Sequence, residues 1–165
     1  MHEMELIGVR VEMPTNAPMV LLRERGGEGR TVPIYIGAPE ATAIALALDG
    51  VDTPRPMTHD LMRDMLEELG VDVERIAVTD LRDKTFFAEI HMVRDGDAHV
   101  VSSRPSDAIA LAARTGTPIF VATSVIDDVG YTDADEAESE APPSEEVVEE
   151  FKEFLDNITP EDFED

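Results

Sequence analysis

Short segments in which apolar residues alternate with polar ones, or form brief continuous runs, recur along the chain and predict β-strands. The predicted strands are Leu6–Val11, Met19–Leu22, Val32–Ile36, Val73–Leu81, Thr85–Val93, Ala98–Ser102 and Pro118–Val121. The glycines from Gly26 to Gly29 predict a turn, and so does the pair Asp95-Gly96. Because Pro33 has no N–H group, its strand is expected at a sheet edge or at a bulge.

Three other segments carry apolar residues at helical spacing. The predicted helices are Pro39–Leu48, a segment from Thr58 as N-cap residue to Gly70, and a segment from near Pro105 to Gly116. A last helical turn is expected over Ser124–Gly130. The order β-β-β-α-α-β-β-β-α-β excludes a regular βαβ repeat. We therefore predict an α+β fold with a mixed, mostly antiparallel sheet and three main helices.

Two of these helices have different apolar patterns. The first is apolar nearly all round, so it is expected to be buried. The second carries one apolar stripe that is expected to face the core. The stripe consists of Leu61, Met62, Met65, Leu66 and Leu69.

The C-terminal part of the chain differs in composition from the rest. We predict a domain over residues 1–130, an acidic flexible linker over 131–144, and an acidic amphipathic helix and tail over 145–165. The apolar stripe of that C-terminal helix comprises Val147, Val148, Phe151, Phe154, Leu155 and Ile158. Its apolar face requires a surface, either on this domain or on a partner, and the sequence leaves both alternatives open.

Charge separates the same two parts. The 165 residues include 37 acids and 13 bases, a formal net charge of −24. Residues 1–126 carry a net charge of −8 and residues 127–165 a net charge of −16. The first part has no long basic stripe of the kind that binds nucleic acid nonspecifically. The tail is interpreted either as a solubilising segment or as a mimic of nucleic acid that occludes a site.

Composition narrows the chemistry and the location. The chain has no cysteine, which excludes disulfides, thiolate metal sites and cysteine nucleophiles. Its start, Met1-His2-Glu3-Met4-Glu5, does not resemble a signal peptide, and no apolar run approaches the ~20 residues needed to span a bilayer. We therefore expect a cytoplasmic protein with no membrane association.

Candidate chemistry is concentrated at the starts of the three helices. Glu40 lies in the first turn of the first helix. The other two starts share the order Arg, Pro, hydroxyl residue, Asp: Arg55 to Asp60, which includes Thr58 and His59, and Arg104 to Asp107, which includes Ser106. A helix N-terminus favours anions, and arginine matches a phosphate with a planar fork. If the starts converge, they provide a phosphate site beside carboxylates.

A purely structural interpretation accounts for part of this pattern. Acids in a first helical turn complement the helix dipole, and Thr, Ser and Pro are common at helix starts. Capping does not explain why Arg55 and Arg104 each directly precede a proline. His59 is interpreted either as a structural histidine or as a group that takes and releases a proton near neutral pH. Glu89 and His91 share a strand face, as metal ligands do, but a solvent-facing strand shows the same alternation.

Several motifs resemble those of the bifunctional nuclease family. They are Ile36-Gly37-Ala38-Pro39-Glu40-Ala41, Arg55-Pro56-Met57-Thr58-His59-Asp60-Leu61, Phe86-Phe87-Ala88 and Arg104-Pro105-Ser106-Asp107-Ala108-Ile109-Ala110-Leu111-Ala112. The resemblance extends over about Glu5 to Val129, and the tail from Glu145 to Phe163 resembles the C-terminal extension of actinobacterial members. The resemblance implies DNase and RNase activity, an α+β fold and a homo-oligomer, for which a dimer is favoured.

The resulting hypothesis is a nuclease that hydrolyses phosphodiester bonds of DNA and RNA without sequence preference. The predicted phosphate-binding residues are Arg55, Thr58, Arg104 and Ser106. The predicted catalytic residues are Glu40, His59, Asp60 and Asp107, with Glu40, Asp60 and Asp107 also holding a divalent metal, Mg²⁺ or Mn²⁺. The alternative is a non-catalytic module that binds a phosphorylated ligand or a protein partner with the same residues.

Overall fold

The computed structural model describes residues 1–134 of the chain, and Met1–Thr132 form one compact unit. Its strands are β1 (His2–Glu12), β2 (Ala17–Glu24), β3 (Thr31–Tyr35), β4 (Asp72–Arg82), β5 (Thr85–Arg94), β6 (Asp97–Ser103) and β7 (Ile119–Val121). Its helices are α1 (Ala38–Leu48), α2 (Thr58–Glu68), α3 (Pro105–Thr115) and α4 (Thr123–Val129). The predicted α+β order is confirmed, and α4 corresponds to the last helical turn expected over Ser124–Gly130.

The strands form one mixed sheet in the order β3-β2-β1-β7-β4-β5-β6. Neighbouring strands are antiparallel except β4 and β7, which run parallel. The short β7 lies between β1 and β4, and its Ile119 and Val121 are buried. Pro33 lies on β3, an edge strand, as its missing N–H predicts. The sheet is thus two antiparallel meanders joined through the central β7.

Helix α3 lies at the centre of the helical layer, because it contacts α1, α2, β4 and β5. Its small and branched residues allow this close packing: Ala108, Ile109, Ala110 and Leu111 are fully buried. The helix ends where Gly116 adopts a left-handed conformation with φ 69°, as the sequence predicts. Because α3 contacts both other main helices, its first turn can meet residues from each of them.

The helix starts and apolar faces differ from the predictions in detail. Helix α1 begins one residue earlier, at Ala38, and its last residue, Leu48, is exposed. In α2, Met62 and Leu66 pack against the core, whereas three other members of the predicted stripe are about half exposed. Those three are Leu61, Met65 and Leu69. The stripe is wider than the part of the helix that the core covers.

The predicted C-terminal helix over 145–165 and all but the first residues of the predicted linker over 131–144 lie outside the described residues. Within residues 1–134, the structure contains no helix of the length and apolar character that crossing a bilayer requires.

Candidate functional site

Arg104 is the N-cap residue of α3, and its side chain binds Asp107 in the first turn of the same helix. Its Nε donates to Asp107 Oδ2 at 2.7 Å, and its Nη2 donates to Asp107 Oδ1 at 3.0 Å. Such a two-point contact fixes the plane of the guanidinium as well as its position. Helix capping alone does not explain this contact, because arginine is not a preferred N-cap residue.

The same guanidinium joins α3 to α1. Arg104 Nη2 also donates to Glu40 Oε1 at 2.8 Å, across 64 positions of sequence. The Glu40 side chain folds back over Gly37, so closely that a Cβ atom added at Gly37 would collide with Glu40 Oε2. Gly37 is therefore the residue that leaves room for the Glu40 carboxylate at the start of α1.

His59, the second residue of α2, brings the third helix start to the same point. Its Nε2 lies 3.1 Å from Asp107 Oδ1, and its side chain is 8% exposed. Because an ionised carboxylate only accepts hydrogen bonds, Nε2 carries the proton in this pair. The three helix starts meet through four residues, which we call the Arg104 cluster: Glu40, His59, Arg104 and Asp107.

Electrostatics keep the Asp107 carboxyl of this cluster ionised. Burial opposes ionisation of Asp107, but the hydrogen bonds from Arg104 and His59 outweigh it and lower the pKa of the carboxyl below its ordinary value. The Asp107 and Glu40 carboxylates raise the pKa of Arg104 further above its ordinary range. Asp107 therefore stays an anion beside the Arg104 guanidinium.

Asp60 is engaged elsewhere. Its Oδ1 accepts a short hydrogen bond from Nε of Arg114, whose side chain is 5% exposed, and its Oδ2 accepts from the Met57 N–H at 2.9 Å. The Arg114 hydrogen bond is the main reason that the pKa of Asp60 lies below its ordinary value. Met57, and not Thr58 as predicted, is the N-cap residue of α2. Asp60 thus ties the start of α2 to the end of α3.

The remaining predicted phosphate ligands fall into two groups. Ser106 is buried at the start of α3, next to Arg104. Thr58 is exposed at the first position of α2, and Arg55 is exposed in the loop before it. Within residues 1–134, neither the Arg55 nor the Thr58 side chain forms a hydrogen bond to the Arg104 cluster. The Arg55 backbone carbonyl only accepts from Thr53 Oγ1, at 2.7 Å.

A cleft of about 370 Å³ adjoins the Arg104 cluster. Three chain segments meet around it: the passage from β3 to α1, the β4–β5 turn and the start of α3. Its lining includes two cationic side chains, two aromatic rings and a serine: Lys84, Arg104, Tyr35, Phe86 and Ser106. We call this cavity the α3 cleft.

The predicted metal ligands do not fit a divalent cation in this arrangement. Both oxygens of Asp107 accept from Arg104, and both oxygens of Asp60 accept from Arg114 or Met57. No group of three His, Cys, Asp or Glu side chains in residues 1–134 is placed to hold a metal ion. Glu89 and His91 contact each other at 3.1 Å on the sheet, also without a third ligand.

Two residues of this region were not predicted from the sequence. Arg114 resembles an ordinary basic residue in the last turn of a helix, and only the packing of α2 on α3 reveals its pairing with Asp60. Lys84 carried a detectable signal, since it is the lone lysine before residue 152 and occupies a turn position.

The protein is an α+β domain in which the starts of two helices hold the Arg104 guanidinium. A family model for the bifunctional nuclease domain matches residues 20–134. The chain belongs to the bifunctional nuclease family. It is 46% identical over 165 residues to the uncharacterized protein Rv1829 of Mycobacterium tuberculosis (strain ATCC 25618 / H37Rv), covering 99% of this chain and 98% of that one.

Plant proteins are similar over a shorter stretch. Bifunctional nuclease 2 of Arabidopsis thaliana is 31% identical over 114 residues, which is 66% of this chain and 35% of the plant protein. Bifunctional nuclease 1 of the same plant is 29% identical over 107 residues, covering 63% and 33%. The shared part is therefore the domain, and the plant proteins extend well beyond it.

Proposed function

We propose that this protein is a nuclease that hydrolyses phosphodiester bonds of DNA and RNA without sequence preference. Membership of the bifunctional nuclease family supports this class of activity. The names of the plant relatives, Bifunctional nuclease 1 and 2, support the same class. The residues that carry the proposal are those of the Arg104 cluster and the adjoining α3 cleft.

Arg104 binds the scissile phosphate in this proposal. Its Nε and Nη2 are held by carboxylates, whereas its Nη1 has no hydrogen-bond partner within residues 1–134. The side chain is 65% exposed and lines the α3 cleft. A guanidinium fixed in advance stabilises the charge that develops on a phosphate during attack, without first having to reorganise.

The His59–Asp107 pair moves the proton. Asp107 holds the Nε2–H of His59, which leaves Nδ1 as the nitrogen that accepts a proton. In the proposed reaction a water oxygen attacks phosphorus, and His59 takes the proton that this water releases. The bond from phosphorus to the leaving oxygen breaks, and His59 returns the proton to that oxygen. Glu40 keeps Arg104 in place.

One observation supports this function best: two carboxylates from two helices fix Arg104 while its remaining donor atom stays open at a cleft. The test is cleavage of supercoiled plasmid and of a labelled RNA by the wild-type protein and by Arg104→Ala, His59→Ala and Asp107→Ala. We expect each variant to lose at least 100-fold in rate, the size that positioned proton transfer or charge stabilisation supplies.

Arg94→Ala provides a matched control, because Arg94 is an exposed arginine at the end of β5 away from the α3 cleft. Its cleavage rate is expected to equal that of the wild type. Cleavage that persists unchanged in all three cluster variants would assign the activity to a contaminant or to another site.

The alternative is a non-catalytic module that binds a phosphorylated ligand. The net charge of −8 over residues 1–126 favours it, because nonspecific binding of nucleic acid depends on neutralising many phosphates. A salt titration of nucleic-acid binding separates the two functions. Absence of binding at low salt, even after truncation from Asp133, would favour the module.

A homo-oligomer and a cytoplasmic location stay predictions. For the oligomer, the support is β6, an edge strand whose Val100 and Val101 are both about half exposed. An exposed edge strand with apolar side chains is a template for pairing with a second chain. A second copy of this protein is the partner that we propose for it.

A further inference from the structure

The β4–β5 turn contributes Lys84 to the lining of the α3 cleft. Lys84 is exposed and has no ion pair within residues 1–134. The basic side chains nearest to it in sequence differ in this respect, because Arg82 contacts Asp80 at 2.9 Å and Arg94 lies 3.6 Å from Asp95. Lys84 therefore offers the cleft an uncompensated positive charge.

The backbone of the turn is unfavourable for a lysine. Arg82 pairs with Thr85, so Asp83 and Lys84 form a two-residue hairpin loop, with φ 49° and 61°. Loops of this kind strongly prefer Asn-Gly, Asp-Gly or Gly-Gly, since a Cβ atom is strained at positive φ. A glycine at position 84 would remove the strain. A strained side chain beside a cleft points to a role that the fold alone does not require.

The start of α3 contributes a polar group to the cleft lining. Ser106 is 6% exposed, lines the cleft, and its hydroxyl has no hydrogen-bond partner within the described part of the chain. It is the second residue of the 11-residue α3, whose first-turn N–H groups lack helical acceptors. A serine hydroxyl at a helix N-terminus, in the same cleft lining as Arg104 and Lys84, is suited to an anion such as phosphate.

Aromatic rings complete the lining. Tyr35 is 52% exposed, and its hydroxyl donates to Glu12 Oε1 at 2.7 Å, which limits the orientations of the ring. Phe86 lies near it and is partly buried. Exposed rings next to cations are the combination on which unpaired bases stack while their phosphates are held.

We propose that the α3 cleft binds one nucleotide of a single-stranded nucleic acid, with Lys84, Arg104 and Ser106 around its phosphate and its base against Tyr35 and Phe86. This inference rests on the proposed function. A single strand fits better than a duplex, because a duplex hides its bases and requires an extended basic face. The net charge of −8 over residues 1–126 argues against such a face.

Fluorescence anisotropy with a labelled phosphorothioate oligothymidylate, which resists cleavage, tests the proposal on the full-length protein. The variants are Lys84→Gly and Lys84→Asn, both of which suit a positive φ, together with Lys84→Arg and Ser106→Ala. Arg94→Ala is the matched control for loss of one positive charge, about 30 Å away along β5.

We expect Lys84→Gly and Lys84→Asn to weaken binding five- to tenfold and to reduce the salt dependence by about one phosphate contact, a slope change of ~0.7 for a single strand. Lys84→Gly should at the same time raise the melting temperature, since it relieves the turn. If Lys84 only supported the fold, its replacement would change the binding affinity and the melting temperature in the same direction. Lys84→Arg should bind within threefold of the wild type, and Ser106→Ala should weaken binding severalfold.

Two results would overturn the proposal: unchanged affinity in both Lys84 variants, or binding of a duplex of equal length as tightly as the single strand. The proposed function is read out separately by plasmid and RNA cleavage. If His59→Ala abolishes cleavage while Lys84→Gly binds normally, the nuclease function stands and the cleft assignment fails. If the wild type cleaves nothing but binds the oligonucleotide through Lys84, the cleft assignment stands and the nuclease function fails.

Discussion

His59 and Asp107, separated by 48 positions of sequence, meet with 3.1 Å between Nε2 and Oδ1. The contact links the second residue of α2 to the first turn of α3. It also gives Asp107 two cationic or proton-donating neighbours, because Arg104 holds the same carboxylate from the solvent side. Through Asp107 and Arg104, this contact joins the starts of α1, α2 and α3 in one set of side chains.

Asp107→Asn separates the charge of this carboxylate from its shape. The amide keeps nearly the same volume, but it no longer stabilises a protonated His59 or fixes the proton on Nε2. We expect the cleavage rate to fall 100- to 10,000-fold, the range that general acid–base catalysis contributes. Plasmid cleavage followed by gel electrophoresis measures the loss. Asp95→Asn, in the exposed β5–β6 turn, serves as the control, and an equal loss in both variants would contradict the role of Asp107.

Arg104→Lys tests the geometry of the guanidinium and leaves the net charge unchanged. An ammonium cannot hold Asp107 at two points, contact Glu40 and still present a fixed donor to a phosphate. We expect a loss of at least 100-fold in cleavage rate and a melting temperature within a few degrees of the wild type, because Arg104 is 65% exposed. Full activity in Arg104→Lys would show that only a positive charge is needed there.

The ion pair of Asp60 and Arg114 predicts an acid-dependent stability. The folded pKa of Asp60 lies below its ordinary value of 3.8, so the stabilisation is fully present above the unfolded pKa. It is lost as the pH falls through the folded pKa. Asp60→Asn leaves Arg114, whose side chain is 5% exposed, without its carboxylate, which is expected to cost about 3 kcal/mol at neutral pH.

Urea unfolding between pH 7 and pH 2 measures both effects. The wild type should lose stability more steeply than Asp60→Asn below pH 4, while Asp107 contributes in the same direction in both proteins. Adding Arg114→Met to Asp60→Asn removes the unpaired buried charge and should restore part of the stability. Parallel stability curves for the wild type and Asp60→Asn would contradict the lowered pKa.

The sequence predicts the fold better than the site. Strand alternation, the edge proline Pro33 and the glycine stop at Gly116 are local signals, and the structure confirms each of them. The apolar stripe of α2 shows the limit, because periodicity does not reveal how much of a face the core covers. Leu61 and Met65 have the right spacing and are still about half exposed.

The site depends on contacts between segments, which spacing does not encode. Arg55 and Arg104 have nearly the same local sequence, yet only Arg104 contacts the carboxylates. Asp60 and Asp107 also look equivalent, but Asp60 is paired with Arg114 at the other end of α3. The difference arises from the central position of α3, whose two ends lie against different neighbours.

Removal of divalent metal ions tests the predicted cofactor. Because Asp107 and Asp60 already accept two or more hydrogen bonds each, a cation would have to displace Arg104 or Arg114 to reach them. We therefore expect cleavage after dialysis against EDTA to stay within threefold of the untreated rate. Loss of activity that Mg²⁺ or Mn²⁺ restores would instead support the predicted metal and require a rearranged Asp107.

The edge strand β6 predicts how two copies associate. Val100 and Val101 point to opposite faces of the strand, and both are about half exposed, so a neighbouring copy that extends the sheet would cover apolar surface on each side. Val101→Lys places a charge on that edge at a side chain that is about half exposed. We expect the wild type to elute as a dimer in size-exclusion chromatography with light scattering, and Val101→Lys to elute as a monomer with an unchanged circular-dichroism spectrum.

Lys is the suitable replacement because natural edge strands use it to prevent pairing. Arg94→Ala, at the start of the β5–β6 turn, should leave the dimer intact, and a wild-type protein that is monomeric at all concentrations would contradict the proposed pairing.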